Sequence, residues 1–101
     1  MDEAPFMERK FDLDGGELIT RFYAPAKAAG GEFQCRWSVG WPDRETRRYT
    51  CGEDGVQALM LAMQRVHTEL TESDAYKAGR LTLWDQADLR LPPAWNTAPP
   101  P

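Results

Sequence analysis

The sequence predicts an α+β fold: a four-stranded antiparallel sheet, made of two hairpins, with one long helix packed on one face. Two runs of alternating apolar and polar residues, each broken by turn residues, predict the hairpins. A later run with apolar residues at helical spacing predicts the helix. Strands followed by a helix in this order are typical of a helix-on-sheet domain. A short second helical turn and an extended C-terminal segment complete the prediction.

The first hairpin is predicted over residues 6–23. Gly15-Gly16 supplies the positive φ angles that a tight two-residue turn requires. The return strand is rich in β-branched and aromatic residues, which favour strands. A turn centred on these two glycines would place Lys10 directly opposite Arg21.

The second hairpin is predicted from residues 33–39 and 46–51, which flank a loop that contains Gly, Pro and Asp. Four residues share one face of its first strand: Phe33, Cys35, Trp37 and Val39. Centring the hairpin on Asp43 would place Trp37 opposite Tyr49, so that both side chains face the core. A long loop specifies the register less firmly than a two-residue turn, so this register could slip.

The long helix is predicted over residues 54–72. Asp54 is its N-cap, and Gln57 three residues later completes a capping box. Its core-facing stripe comprises Val56, Leu59, Met60, Met63, Val66 and Leu70. The opposite face is polar and includes Gln64, with Leu61 as an apolar exception. The stripe is predicted to pack on Phe11, Leu13, Leu18, Phe22, Phe33, Trp37 and Tyr49 of the sheet.

The rest of the chain is predicted to hold little further regular structure. Ser73 caps a short helical turn, and Gly79 follows its end. Residues 81–84 form an edge strand or an extended cover segment, and either this segment or the tail covers Leu61. Five prolines near the C-terminus exclude a helix or strand there. One domain is therefore predicted over residues 1–91, followed by a Pro-rich tail over 92–101.

The composition restricts the class of protein. The chain has 101 residues and a net charge of -4, which fits one domain with one modest core. Its apolar content excludes a disordered chain, and no stretch approaches the ~20 apolar residues of a membrane span. Two cysteines are too few for a secreted disulfide scaffold, and the N-terminus lacks the apolar region of a signal peptide. We therefore expect a cytoplasmic protein with free thiols and no membrane partner.

Patterns that indicate catalysis or metal binding are sparse. No Cys-x-x-Cys motif, Cys/His cluster or phosphate-binding glycine loop is present, so neither a metal nor a cofactor is predicted. His67 lies in the apolar stripe of the helix and is expected to bond a sheet carbonyl. The alternative pairs His67, as a base, with Cys35 or Cys51, which are both expected on strands under the helix. Burial there would raise the thiol pKa and make the thiols inert, so a thiol-dependent enzyme is the third hypothesis.

The candidate binding residues lie on the predicted sheet face away from the helix: Lys10, Arg21, Tyr23, Arg36 and Arg48. Lys10 and Arg21 would be cross-strand neighbours, and like charges in that position destabilise a sheet unless a partner compensates them. The partner could be an acidic protein surface or a nucleic-acid backbone. The alternative is a solvated face of mixed charge, on which Glu8 and Asp12 provide the compensation.

The charge distribution favours a protein partner over nucleic acid. Residues 33–51 carry a local charge of +2, which leaves -6 for the rest of the chain and disfavours contact with phosphate. Trp41 and Tyr49 could stack on bases, but a small core needs aromatic residues equally. The sequence thus predicts a non-enzymatic binding or adaptor module acting by protein–protein interaction, of an immunity, antitoxin or regulatory type. A nucleic-acid-associated protein is the alternative, and the oligomeric state is left open.

Five segments of the chain carry a family resemblance: ERKF at residues 8–11, RFYAP at 21–25, FQCRW at 33–37, GVQALMLAM at 55–63 and SDAYKAGRL at 73–81. Through these segments, which span nearly all of residues 8–84, the sequence resembles an uncharacterised family of small bacterial proteins labelled only as a domain of unknown function. The resemblance implies a bacterial, cytoplasmic, single-domain protein. It implies no activity.

Overall fold

The structure is a computed structural model that describes residues 5–92. Its elements are β1 (Met7–Leu13), β2 (Gly16–Phe22), β3 (Ala26–Lys27), β4 (Phe33–Gly40), β5 (Glu45–Gly52), α1 (Gly55–Thr71), α2 (Asp74–Lys77) and β6 (Leu81–Thr82). The fold is α+β, as predicted: an antiparallel sheet with one long helix and a short second helix. The described residues form six strands rather than four, because two-residue strands at 26–27 and 81–82 join the predicted hairpins.

Strand β4 is the centre of the sheet. β5 pairs with it along its whole length, from Phe33 to Gly40. Its other edge is shared, because β2 pairs with one end of β4 and β3 with the other. β1 pairs with the outer edge of β2, and β6 then pairs with β1. Residues 81–82 are therefore an edge strand, which was one of the two predicted alternatives.

The first hairpin closes one residue earlier than predicted. Asp14 and Gly15 have φ angles of 51° and 82°, which is the type I′ geometry of a two-residue turn. The register consequently shifts by two residues, so that Arg21 pairs with Glu8 rather than with Lys10. A shift of two residues keeps every side chain on its predicted face.

The register of the second hairpin differs by one residue from the predicted register. Gly40 pairs with Glu45, so four residues form the loop instead of an odd number centred on Asp43. A slip of one residue moves every side chain of β5 to the other face of the sheet. Tyr49, predicted in the core, is therefore 58% exposed on the outer face.

Helix α1 begins and ends close to the predicted residues, and its cap is confirmed. The Asp54 side chain accepts a hydrogen bond from the Gln57 backbone N–H at 2.8 Å. The Gln57 side-chain oxygen accepts in turn from the Glu53 N–H at 2.7 Å. These two bonds satisfy main-chain donors that the first helical turn leaves without partners.

The buried stripe of α1 is rotated relative to the prediction. The fully buried positions include Ala58, Ala62, Val66 and Leu70, at i, i+4 spacing. Val56, predicted in the stripe, is 68% exposed, and Gln64, predicted on the polar face, is buried. The reason is the close approach of the helix to Gly52: a Cβ atom on this glycine would lie 2.5 Å from the Ala58 backbone nitrogen.

The C-terminal part of the described chain closes the side of the sheet opposite β5. Ser73 caps α2 as predicted, accepting a hydrogen bond from the Tyr76 backbone N–H at 3.1 Å. The Arg9 guanidinium donates to the carbonyl oxygens of Leu89 and Arg90, which joins this segment to β1. The predicted tail lies outside the described residues from position 93 onwards.

Leu61 is not covered by residues 81–84, which lie at the β1 edge of the sheet. It is half-buried and lines a groove beside β5, together with Trp37 and Arg48.

Candidate binding site

The structure places four of the five predicted binding residues on the outer face of the sheet. Lys10, Arg21 and Arg36 alternate with the buried residues of their strands, and Tyr23 follows β2 on the same face. Arg48 was predicted there and is on the other face, because it pairs with Trp37, whose side chain is in the core. The one-residue slip of β5 is the cause.

The centre of the outer face is a small grid of cross-strand neighbours. One row is Arg21, Ser38 and Arg47, on β2, β4 and β5. The next row is Tyr23, Arg36 and Tyr49, in which the Tyr23 backbone N–H donates to the Arg36 carbonyl at 2.9 Å. Directly opposed side chains on neighbouring antiparallel strands have Cβ atoms only about 5 Å apart, so these groups form one continuous surface.

A groove of about 350 Å³ lies over this grid. Tyr23, Arg36, Ser38, Arg47 and Tyr49 line it, and none of the residues between 5 and 92 that line it has a carboxylate side chain. The Arg36 guanidinium carbon lies 5.2 Å from the centre of the Tyr23 ring, within the range of a cation–π contact. The groove therefore combines two guanidinium groups with two phenol rings.

The predicted repulsion between Lys10 and Arg21 does not occur, because Arg21, like Arg47, lies beside an acidic residue. Arg21 Nε lies 3.1 Å from Glu8 Oε2, and Arg47 Nη2 lies 3.0 Å from Glu45 Oε1. Lys10 pairs with Ile19 instead of Arg21. The strands place four basic residues on the outer face, Lys10, Arg21, Arg36 and Arg47, and four acidic ones, Glu8, Asp12, Glu17 and Glu45. The acidic residues lie on β1 and toward the hairpin turns, whereas Arg36 lies toward the other end of the face.

Ser38 forms the floor of the groove. The residue is 1% exposed, and its hydroxyl oxygen has no hydrogen-bond partner within residues 5–92. A buried hydroxyl without a partner is uncommon in native proteins, because it has lost its hydrogen bonds to water. This hydroxyl can donate to, or accept from, a group that enters the groove.

Arg47 and Tyr49 were not among the predicted site residues. The predicted register of the second hairpin placed both side chains on the core face. On the outer face, Arg47 and Tyr49 occupy the positions that this register gave to Arg48 and Thr50. Ser38 was placed on the correct face but given no role. The sequence could have indicated the groove, because a small side chain between two long ones on adjacent strands leaves a depression in the surface of the sheet.

The two cysteines lie on opposite faces of the sheet. Cys35 is buried under the helix, where its Sγ donates to the Tyr23 carbonyl at 3.3 Å. Burial raises the pKa of this thiol to about 11, so it is protonated at neutral pH. Cys51 was also predicted under the helix, but it is exposed on the outer face and directed away from His67 on α1.

His67 is half-buried, and its imidazole forms no hydrogen bond with any residue between 5 and 92. The expected bond to a sheet carbonyl is therefore not formed. The same part of the chain contains no group of three or more His, Cys, Asp or Glu residues arranged to hold a metal ion.

Alkylation by iodoacetamide in the native state is expected to modify Cys51 and to spare Cys35. Cys51 is exposed, whereas Cys35 is inaccessible and protonated at about pH 8. Intact-mass spectrometry should show one adduct, and the Cys51→Ser variant should show none until it is unfolded in urea. Rapid modification of both thiols in the native protein would contradict the burial of Cys35.

The fold and the site define a class: a small α+β domain with a helix on one face of its sheet and an arginine–tyrosine groove on the other. No helix among the described residues has the length and apolar character needed to cross a membrane. A family model described as a domain of unknown function, DUF6968, matches residues 7–93. The chain belongs to this family. No curated protein and no solved structure matches it.

Proposed function

We propose that the protein is a non-enzymatic binding module that recognises an acidic segment of a partner protein through the groove on its outer face. The observation that carries the proposal is the composition of the groove, in which Arg36 and Arg47 flank the buried Ser38 hydroxyl. Arg47 holds Glu45 through Nε and Nη2, and its Nη1 can donate to a carboxylate of the partner, next to the positive charge of Arg36. The serine hydroxyl adds a donor at the floor.

The tyrosines support a protein ligand. Tyr49 is 58% exposed at the rim, and the Tyr23 ring already carries a guanidinium against its face. Tyrosine and arginine are the residues most enriched at the centres of protein–protein interfaces, since they offer contact area together with hydrogen bonds. A partner side chain next to the bound carboxylate would pack on these rings.

The edge of the sheet gives the partner main-chain contacts. β5 pairs with β4 alone among the strands between residues 5 and 92, so one row of its backbone groups is available to an extended segment. A second copy pairing antiparallel about the middle of β5 would bring the Arg47-Arg48 pairs of both copies together. Like-charge repulsion disfavours that contact and favours an acidic segment.

The arrangement of charge disfavours nucleic acid. A phosphate backbone carries a charge at every nucleotide, and a protein that binds it needs a long basic track. Here the basic residues of the outer face are equalled in number by Glu8, Asp12, Glu17 and Glu45. A ligand with a few well-placed carboxylates fits this pattern better than a long polyanion. The exposed thiol of Cys51 supports a reducing compartment, and we propose that this activity is cytoplasmic.

The test is photo-cross-linking in a lysate of the native host, with p-benzoylphenylalanine in place of Tyr49. We expect adducts that mass spectrometry maps to protein segments rich in Asp and Glu. The double substitution Arg36→Gln and Arg47→Gln should lower their yield at least ~10-fold, because each charge-assisted hydrogen bond contributes about 1.5–3 kcal/mol. The matched control is Arg44→Gln, which removes one positive charge outside the groove and should leave the yield unchanged.

A second control places the same photoreactive group at Trp84, which is 66% exposed beyond the β6 edge. Equal yields of the same adducts from positions 49 and 84 would overturn the proposal. Adducts at position 49 that nuclease treatment removes would also overturn it, in favour of nucleic-acid association.

A further inference from the structure

We propose that the groove between β5 and α1 is a separate binding site for an oxyanion, formed by Trp37 Nε1–H and by the guanidinium groups of Arg48 and Arg65. This groove has a volume of about 420 Å³ and lies on the helix side of the sheet. It shares Trp37, Arg48 and Tyr49 with the outer-face groove and differs from it in extending to Leu61 and Arg65 of α1. The ligand class is a carboxylate or a phosphate group.

The first observation is a buried donor without an acceptor. Trp37 is 3% exposed and lines the groove, and its indole N–H has no hydrogen-bond partner in the part of the chain that the structure describes. An indole N–H can only donate, so no rearrangement of its own proton satisfies it. Buried polar groups in native proteins are nearly always hydrogen-bonded, so this donor needs an acceptor from outside the described chain.

The second observation is the pair of arginines in the same groove. Arg48 projects from β5 and Arg65 from α1, and both are exposed. Neither forms an ion pair or a side-chain hydrogen bond with residues 5–92. None of the described residues that line this groove is acidic. Two elements thus bring two positive charges to one place without the carboxylate that usually accompanies them.

The chemistry of the three groups selects the ligand. All of them donate hydrogen bonds and none accepts, which excludes a metal ion or an ammonium group as the ligand. Planar guanidinium groups match the geometry of carboxylate and phosphate oxygens. Leu61, half-buried in the same lining, provides an apolar wall that lowers the local dielectric constant and strengthens these bonds.

The experiment follows the indole ¹H–¹⁵N resonance of Trp37 in the intact protein during titration with inorganic phosphate and, separately, with sodium acetate. Sodium chloride at matched ionic strength is the reference. We expect the Trp37 indole proton to shift downfield and to saturate with a Kd on the order of a millimolar for at least one anion. The anion with the lower Kd identifies the natural ligand as a phosphate or a carboxylate.

Two substitutions and two controls make the test specific. Arg48→Gln and Arg65→Gln should each weaken binding at least ~10-fold, since each removes a charged donor. Arg44→Gln, in the loop between β4 and β5 and in the lining of neither groove, should leave the titration unchanged. The indole of Trp41 already donates to Glu69 at 2.7 Å and should not move.

The proposal is overturned if the Trp37 resonance moves no more with phosphate or acetate than with chloride. It is equally overturned if Arg65→Gln titrates like the unmodified protein while its backbone spectrum shows an intact fold. The photo-cross-linking test uses Arg36 and Arg47, so either site can fail without the other.

Discussion

Replacing Leu70 with alanine is expected to lower the free energy of unfolding by about 2–5 kcal/mol. Leu70 is fully buried in the last turn of α1, and its truncation leaves a cavity next to the junction with α2. Its carbonyl also accepts a hydrogen bond from the Ser73 hydroxyl at 2.6 Å, so movement of this turn into the cavity would disturb the cap of α2. Because small domains are stable by only about 5–15 kcal/mol, urea denaturation should show a much lower midpoint.

The matched control is Val56→Ala in the first turn of the same helix. Val56 is 68% exposed, so this substitution should change the free energy of unfolding by less than about 0.5 kcal/mol. The periodicity of the sequence assigns both residues to the core stripe, whereas the structure assigns only Leu70. Equal losses of stability in the two variants would therefore contradict the observed rotation of α1.

Replacing Gly52 with alanine is expected to cost about 1–3 kcal/mol, although it adds only one methyl group. The new Cβ would lie 2.5 Å from the Ala58 nitrogen and 3.0 Å from the Gln57 carbonyl carbon. Both are backbone atoms near the start of α1, so no side-chain rotation relieves the clash. The helix must move away from β5, which would also strain the bond from the Thr50 hydroxyl to the Ala58 carbonyl.

Gly16→Ala is the control for this prediction. Gly16 begins β2, its φ angle is not positive, and the nearest atom to a new Cβ would be the Leu13 carbonyl oxygen at 3.6 Å. An alanine at such a position usually stabilises by about 0.4–1 kcal/mol, because it restricts the unfolded chain. Thermal unfolding of the two variants should move in opposite directions. A Gly52→Ala protein as stable as the parent would show that α1 does not pack directly on β5.

The fold class, the two main hairpins, the long helix and both helix caps could be predicted because each depends on local chemistry. Asp54 and Gln57 are close in sequence, and their hydrogen bonds need no distant residue. The register of the second hairpin could not be predicted in the same way. Its four-residue loop contains one backbone hydrogen bond, from the Arg44 N–H to the Trp41 carbonyl at 3.3 Å. The loop has no glycine-containing turn motif from which its length could be predicted.

The rotation of α1 was missed because periodicity weights large apolar residues, whereas close packing favours small ones. Ala58 and Ala62 are fully buried because they let the helix backbone approach the sheet at Gly52. When only large apolar residues such as valine and methionine are counted as core residues, the predicted buried stripe includes Val56 and omits Ala58 and Ala62. The contact with Gly52, which decides the orientation, is tertiary and has no periodic signature.

The candidate site was predicted in part. Tyr23 and Arg36 are together on the correct face, since β2 and β4 carry clear alternation. The predicted register of β5 put Arg48 on the wrong face. The linings of both grooves could therefore not be predicted correctly. The correct register places Arg47 in the outer groove and brings Arg48 and Tyr49 to the lining of both grooves.

The pairing of β1 with β6 affects how the chain folds during its synthesis. β1 leaves the ribosome before residues 81–82 and before the carbonyl groups bound by Arg9, which together complete its outer edge. Until then the nascent sheet has two open edges, β1 and β5, and part of its core lacks the buried leucines at 81, 83 and 89. A ribosome that pauses before residue 81 would hold the chain with this edge open and this core incomplete, which favours aggregation, and rapid translation of residues 81–90 would protect it.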